Sequence, residues 1–182
     1  KEYTNVTIYP TERDAYKDNK SGRMVYNFSD FDYIFEVHFN AYRDDGSARG
    51  TSIQLYTKYS KGITVEQGII NNIAKFSFKK RGDNGIVRRD DLLNMITAYN
   101  LDVDYALIET CFYDSPADMS IYQTNKPKIA DAIVDGIVDN FGLRDAKETY
   151  LIVVGCSYLN IRETPNGKII ATVPSGSRLQ VF

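Results

Sequence analysis

The sequence predicts an α/β layer fold followed by a small all-β module. Three observations carry that prediction. Strand-like and helix-like periodicities alternate over residues 1–142. The strand candidates are short and rich in aromatic and β-branched residues. From residue 150 onward the helical periodicity gives way to short strands broken by turns.

The elements follow in order. A short apolar run, Val6, Thr7, Ile8 and Tyr9, precedes a polar stretch in which Thr11-Glu12-Arg13-Asp14-Ala15 reads as a helix start and Gly22 as its end. Residues 31–39 place apolar side chains at 31, 33, 35, 37 and 39, the two-residue period of a strand, with His38 near its end. Arg43-Asp44-Asp45-Gly46-Ser47 is turn chemistry, and residues 51–58 read as a second strand. Val65, Ile69, Ile70, Ile73, Ala74 and Phe76 recur mostly at three- and four-residue spacings, which predicts an amphipathic helix over 64–80 stopped by Gly82. Residues 83–91 read as a polar, glycine-containing loop.

Tyr105-Ala106-Leu107-Ile108 is a compact buried strand that delivers Glu109 at its exit, and Pro116 stands where a helix would start. The clearest helix covers 126–141. Ile129, Ile133, Ile137 and Phe141 form one stripe, while Asp131, Asp135 and Asp139 form another that reads as its solvated side. Residues 143–149 read as a linker. Strands are then expected over 150–154, 159–162, 168–173 and 178–182, with turns at Pro165-Asn166-Gly167 and Pro174-Ser175-Gly176. The domain boundaries are therefore 1–142, 143–149 and 150–182.

Composition excludes several classes. The 182 residues are 43% hydrophobic, too apolar for a disordered chain. The formal net charge of −2 argues against a dedicated nucleic-acid binder. The tail from residue 143 carries +2 and the preceding part −4, a mild basic bias. No stretch approaches the roughly 20 apolar residues that cross a bilayer. Cys111 and Cys156 are too few for a disulfide framework or a cysteine metal cage. The polar start carries no signal-peptide pattern, and without an initiator Met the natural start is expected upstream.

Two residues could carry chemistry. His38 is the single histidine, and a lone histidine cannot build a zinc site, since catalytic zinc normally takes three protein ligands. A structural or solvated histidine is the plainer reading of that position in isolation. Glu109 sits at the carboxyl end of a predicted strand, where ligands gather in α/β sheets, although an exposed edge glutamate would look the same.

The words around both residues shift that balance. Val37-His38-Phe39-Asn40-Ala41 resembles the histidine–any–asparagine–alanine motif of zinc-dependent N-acetylmuramoyl-L-alanine amidases. The run from Ala106 through Glu109, Phe112 and Pro116 to Asp118 is similar to that family's second signature, and the helix from Ile129 to Phe141 resembles its closing helix. The resemblance covers residues 6–142. It implies a central, mostly parallel sheet flanked by helices, in the phosphorylase/hydrolase-like amidase fold. It also implies His38 as one of three Zn2+ ligands and Glu109 as catalytic acid/base. The family's other two ligands, a histidine in a glycine-rich loop and a helix glutamate, have no counterpart here and are expected upstream of Lys1. The tail, from Leu159-Asn160-Ile161-Arg162 to Leu179-Gln180-Val181, is similar to the first half of a bacterial SH3-type (SH3b) repeat.

Together these imply a peptidoglycan hydrolase, of the autolysin, sporulation or phage-lysin kind, acting at the cell wall. It would cleave the amide between N-acetylmuramic acid and L-alanine, with peptidoglycan as partner, no nucleic acid and no membrane. The rival is a non-catalytic wall-binding or regulatory protein on a degenerate amidase scaffold. A zinc carboxypeptidase-like peptidase ranks third.

Overall fold

The computed structural model describes residues 6–43, 45–141, 150–164 and 166–180. The expected linker at 143–149 lies outside the described residues. The chain divides into two compact units, Thr7–Gly142 and Leu143–Phe182 with Lys1–Val6.

In the larger unit the elements run α1 (Ala15–Lys20), a 3-10 turn (Phe28–Asp30), β1 (Tyr33–Asn40), β2 (Ser52–Tyr56), α2 (Thr64–Ala74), β3 (Ile86–Arg89), α3 (Leu93–Asn100), β4 (Asp104–Phe112) and α4 (Pro116–Phe141). The strands form one sheet in the order β1-β4-β2-β3. β1 pairs parallel with β4 and β2 parallel with β3, while β2 and β4 are antiparallel. The sheet is thus mostly parallel, with one reversal at its centre.

Helices cover both faces, so the two central strands are buried on both sides. Ile53, Leu55, Ala106 and Ile108 of the sheet pack against Ile69, Ile70 and Ile73 of α2 and Ile129 and Ile133 of α4. Burying each such aliphatic side chain stabilises the fold by about 1.5–3 kcal/mol. On the opposite face Tyr105 and Leu107 pack against Met95 and Ala98 of α3, with Phe28 and Val103. The helices α2 and α4 approach closely because Gly136 has no side chain; a Cβ there would lie 2.6 Å from Ile69 Cγ1 and 2.9 Å from its Cα.

Several expected boundaries move, each for a local reason. The helix predicted over 64–80 ends at Ala74. Beyond it Ser77 turns with φ 73°, which lets Phe78 drop into the core at 4% exposure and brings Lys80 alongside Thr51. The predicted loop over 83–91 contains β3, four residues paired to β2, and is followed by the unpredicted eight-residue α3. Glu109 lies inside β4, which continues to Phe112, rather than at its exit. The helix start expected at Pro116 and the helix expected over 126–141 are one element, Pro116–Phe141, which runs through Pro127. Pro127 has no N–H to donate to the preceding turn, and it sits on an exposed face. Asp131 and Asp139 of the acidic stripe are exposed, as a solvated side requires.

One buried acid in this unit has a pH consequence. Glu66 on α2 is 1% exposed; its Oε1 accepts from the Tyr33 hydroxyl at 2.8 Å and its Oε2 has no hydrogen-bond partner among the described residues. Burial raises its pKa above the usual carboxylate range despite the Tyr33 hydrogen bond. A raised carboxyl pKa means that the folded state holds its proton more tightly than the unfolded chain. Its contribution is complete below the unfolded value of about 4.3 and is lost as pH rises through the folded value. Glu66→Gln is therefore expected to raise stability at neutral pH and to flatten its decline from acid to neutral. Urea unfolding across that range checks this; a variant with the wild-type pH slope contradicts it.

In the smaller unit β5 (Tyr150–Ile152) pairs antiparallel with β8 (Arg178–Gln180), and β6 (Tyr158–Arg162) with β7 (Ile169–Pro174). Asn166 (φ 63°) and Gly176 (φ 85°) take the left-handed conformations that the two predicted turns need. Tyr158, Leu159, Ile169 and Ile170 are exposed.

Candidate active site

His38 and Glu109 are far apart in the sequence and adjacent in the fold. Strand β1 lies parallel to β4, and in that register His38 is directly opposite Glu109. On the other side of β4, Ser52 of β2 is the residue opposite Glu109. Partners in register share a sheet face, so the row His38, Glu109 and Ser52 belongs to the face covered by α3, together with Glu36 and Gln54.

That face is polar where the row crosses it. Ser52 and Gln54 are buried at 1% and 3%, and Gln54 Nε2 donates to Ser52 Oγ at 2.9 Å. Thr51 Oγ1 donates to the Glu109 carbonyl at 3.1 Å, holding the strand at that point. His38 Nε2 lies 3.1 Å from Glu36 Oε2, and Asn94 Nδ2 of α3 donates to Glu36 Oε1 at 2.7 Å. Glu109 is different. Its Oε2 is buried with no hydrogen-bond partner among the described residues.

The electrostatics of the three titratable groups diverge accordingly. Burial pushes Glu109 above the usual carboxylate range, opposed by the positive charges of His38 and Arg89. Burial also pushes Glu36 upward, but the hydrogen bonds from His38 and Asn94 outweigh it and hold that carboxyl below its ordinary value. The bond to Glu36 lifts His38 above the usual imidazole value against the burial that lowers it. Two carboxyls on one sheet face are thus shifted in opposite directions, Glu36 below and Glu109 above the ordinary carboxylate value.

Cys111 stays out of this site. It is buried in the core cluster under α2 and α4, where desolvation pushes its thiol up to about 12. Among the described residues no group of three or more His, Cys, Asp or Glu side chains is placed to hold a metal ion. The single imidazole is already turned to Glu36, so these residues do not by themselves make a three-ligand zinc centre. A hollow of ≈ 410 Å³ lined by Asn72, Lys75, Lys128 and Asp131 lies along α2 and α4, away from this site.

Sequence reading reached His38 and Glu109 and missed Glu36 and Asn94, which contact His38 or one another. The alternation of β1 was a usable signal for Glu36, since residues 36 and 38 must share a face. No local pattern points to Asn94, because it lies on a helix with neither a capping side chain nor a strong stripe.

The site is a carboxyl with a buried unpartnered oxygen, set in register with the chain's single imidazole on one face of an α/β sheet. The N-acetylmuramoyl-L-alanine amidase family model matches residues 1–139, and the chain belongs to that family. Solved structures share the fold. The putative N-acetylmuramoyl-L-alanine amidase from Neisseria meningitidis is 20% identical with a TM-score of 0.53, over 72% of this chain and 68% of that one. The CwlD amidase from Clostridioides difficile, solved with the GerS lipoprotein, is 17% identical with a TM-score of 0.52, over 75% of this chain and 71% of that one. The catalytic domain of an endolysin targeting Clostridia difficile is 24% identical with a TM-score of 0.50, over 60% of this chain. The chain spans only 55% of that domain's length. Comparison with curated proteins returned no match.

Proposed function

We propose that this chain belongs to a peptidoglycan hydrolase that acts at the bacterial cell wall and cleaves the amide between N-acetylmuramic acid and L-alanine. One observation carries the reading: Glu109, with a buried unpartnered oxygen, stands in register with His38 on the neighbouring strand. An amide is a poor electrophile with a poor leaving group. Hydrolysis needs a base for the attacking water and an acid for the departing amine, and one carboxyl of raised pKa can serve as both in turn. Glu109 takes the water's proton and returns it to the L-alanine nitrogen.

His38 stands as one ligand of a zinc centre in this reading. The described residues provide that imidazole and not the three donors a catalytic zinc needs, so the other donors come from protein outside them. The same shortage favours the rival, a wall-binding protein on a degenerate scaffold. Mass spectrometry of muropeptides after digestion separates the two. Free stem peptide and unsubstituted glycan support the amidase; cleavage elsewhere rejects it; wall binding with no cleavage supports the rival.

The smaller unit is proposed as part of an SH3b-like wall-binding module. Its mild basic charge and antiparallel hairpin pairing support this. In a longer form of the protein that carries a complete metal centre, removal of residues 143–182 is expected to leave turnover of soluble muropeptides largely intact and to weaken co-sedimentation with insoluble walls. Equal sedimentation with and without the tail rejects the targeting role.

A further inference from the structure

His38 is about half exposed, yet one of its ring nitrogens is already engaged, since Nε2 lies 3.1 Å from Glu36 Oε2. Glu36 is itself held from behind. Its Oε1 accepts the 2.7 Å hydrogen bond from Asn94 Nδ2, and Asn94 is only 4% exposed. The Asn94 amide is fixed in turn, because its Oδ1 accepts from Asn19 Nδ2 at 2.8 Å. Asn19 Nδ2 also donates to Thr97 Oγ1 at 2.9 Å, and the Thr97 hydroxyl donates to the Leu93 carbonyl at 3.0 Å. The donors from Asn19 and Asn94 therefore run toward the carboxylate, and an ionised carboxylate can only accept.

We infer that Glu36, oriented by Asn94 and Asn19, is a positioning residue that holds His38 as its Nε2–H tautomer and leaves Nδ1 as the ring nitrogen with an available lone pair. In a neutral imidazole one nitrogen donates and the other accepts, and the partner of one decides the role of the other. Glu36 and His38 are i and i+2 on β1, so strand alternation alone places them on one face. The direction of the relay is set elsewhere, by a side chain in the last turn of α1 and another in the first turn of α3. The short N-terminal helix is thereby joined to the residue on which the hydrolytic reading depends.

The inference rests on that reading of His38, but its test does not need hydrolysis. His38 is the single histidine, so one pair of imidazole nitrogen-15 resonances reports on it in the intact 182-residue chain. With the ring neutral, the wild-type spectrum is expected to place the proton on Nε2; a proton on Nδ1 overturns the inference. Glu36→Gln gives a second, opposite expectation. Asn94 still donates to the side-chain oxygen, so the new amide NH2 faces His38, Nε2 must accept, and the proton moves to Nδ1. A folded variant that keeps Nε2–H overturns the positioning role. If the variant does not fold, the wild-type tautomer decides alone. Either failure leaves the amidase reading standing on its own muropeptide test.

Discussion

Glu109→Gln is expected to slow stem-peptide release from peptidoglycan by about 10²–10⁴-fold, the usual cost of losing general acid/base help. Glutamine keeps the shape and the hydrogen-bonding capacity of the side chain but cannot take a proton at neutral pH. The buried, unpartnered Oε2 means that the substitution breaks no existing bond at that atom. It also removes an acid that burial already disfavours as an anion, so the fold should be at least as stable. Muropeptide mass spectrometry and wall sedimentation, run together, test this: slow cleavage with normal binding is the expected pair. Near-normal cleavage takes Glu109 out of the mechanism, and loss of bound metal recasts it as a ligand. The measurement needs a form of the protein with a complete metal centre. The 182-residue chain, whose single imidazole is His38, is expected to be inactive with either residue at 109.

The largest effect on stability is expected at Asp118. It is 1% exposed, and its Oδ2 accepts from the backbone N–H of Gly50 at 2.7 Å and of Phe112 at 3.2 Å. Its Oδ1 accepts from Arg49 Nε at 3.2 Å. One carboxylate in the first turn of α4 thus ties the loop before β2 to the end of β4, close to the row that holds Ser52 and Glu109. Gly50, at φ 110°, is seated against the Lys79 carbonyl and could not shift to find another acceptor without disturbing that loop. Asp118→Ala leaves two buried N–H groups unsatisfied, at about 1–3 kcal/mol each, so a loss of roughly 2–6 kcal/mol is expected. Chemical denaturation measures it, and a loss below about 1 kcal/mol would show that water reaches both donors. Asp118→Asn keeps acceptor oxygen for part of the set and should cost less.

The fold was legible where its signals are local. Alternating apolar residues marked β1, and the 3–4 spacing from Val65 marked α2, because side-chain direction follows directly from backbone period. The end of α2 was not legible. Phe76 and Phe78 extend the apolar content past Ala74, and only the pairing of Lys80 with Thr51 requires the chain to leave the helix there. β3 was hidden because Arg88 and Arg89 read as loop, whereas their backbone is ordered by pairing with β2. The helix expected over 126–141 joins the start expected at Pro116, and the packing of Ile129 and Ile133 against α2 accompanies its passage through Pro127.

By itself the sequence determined which residues are available for chemistry. One histidine, in a strand and inside a recognisable motif, and one glutamate at the close of an apolar run were visible without coordinates. Tertiary structure alone decided how they meet. The parallel register of β1 on β4 sets His38 against Glu109, and burial within the fold raises the Glu109 pKa. It also decided that Glu36 answers to Asn94 and Asn19. Period is written in neighbouring residues, whereas register, burial and hydrogen-bond direction arise only when distant segments compete for the same space.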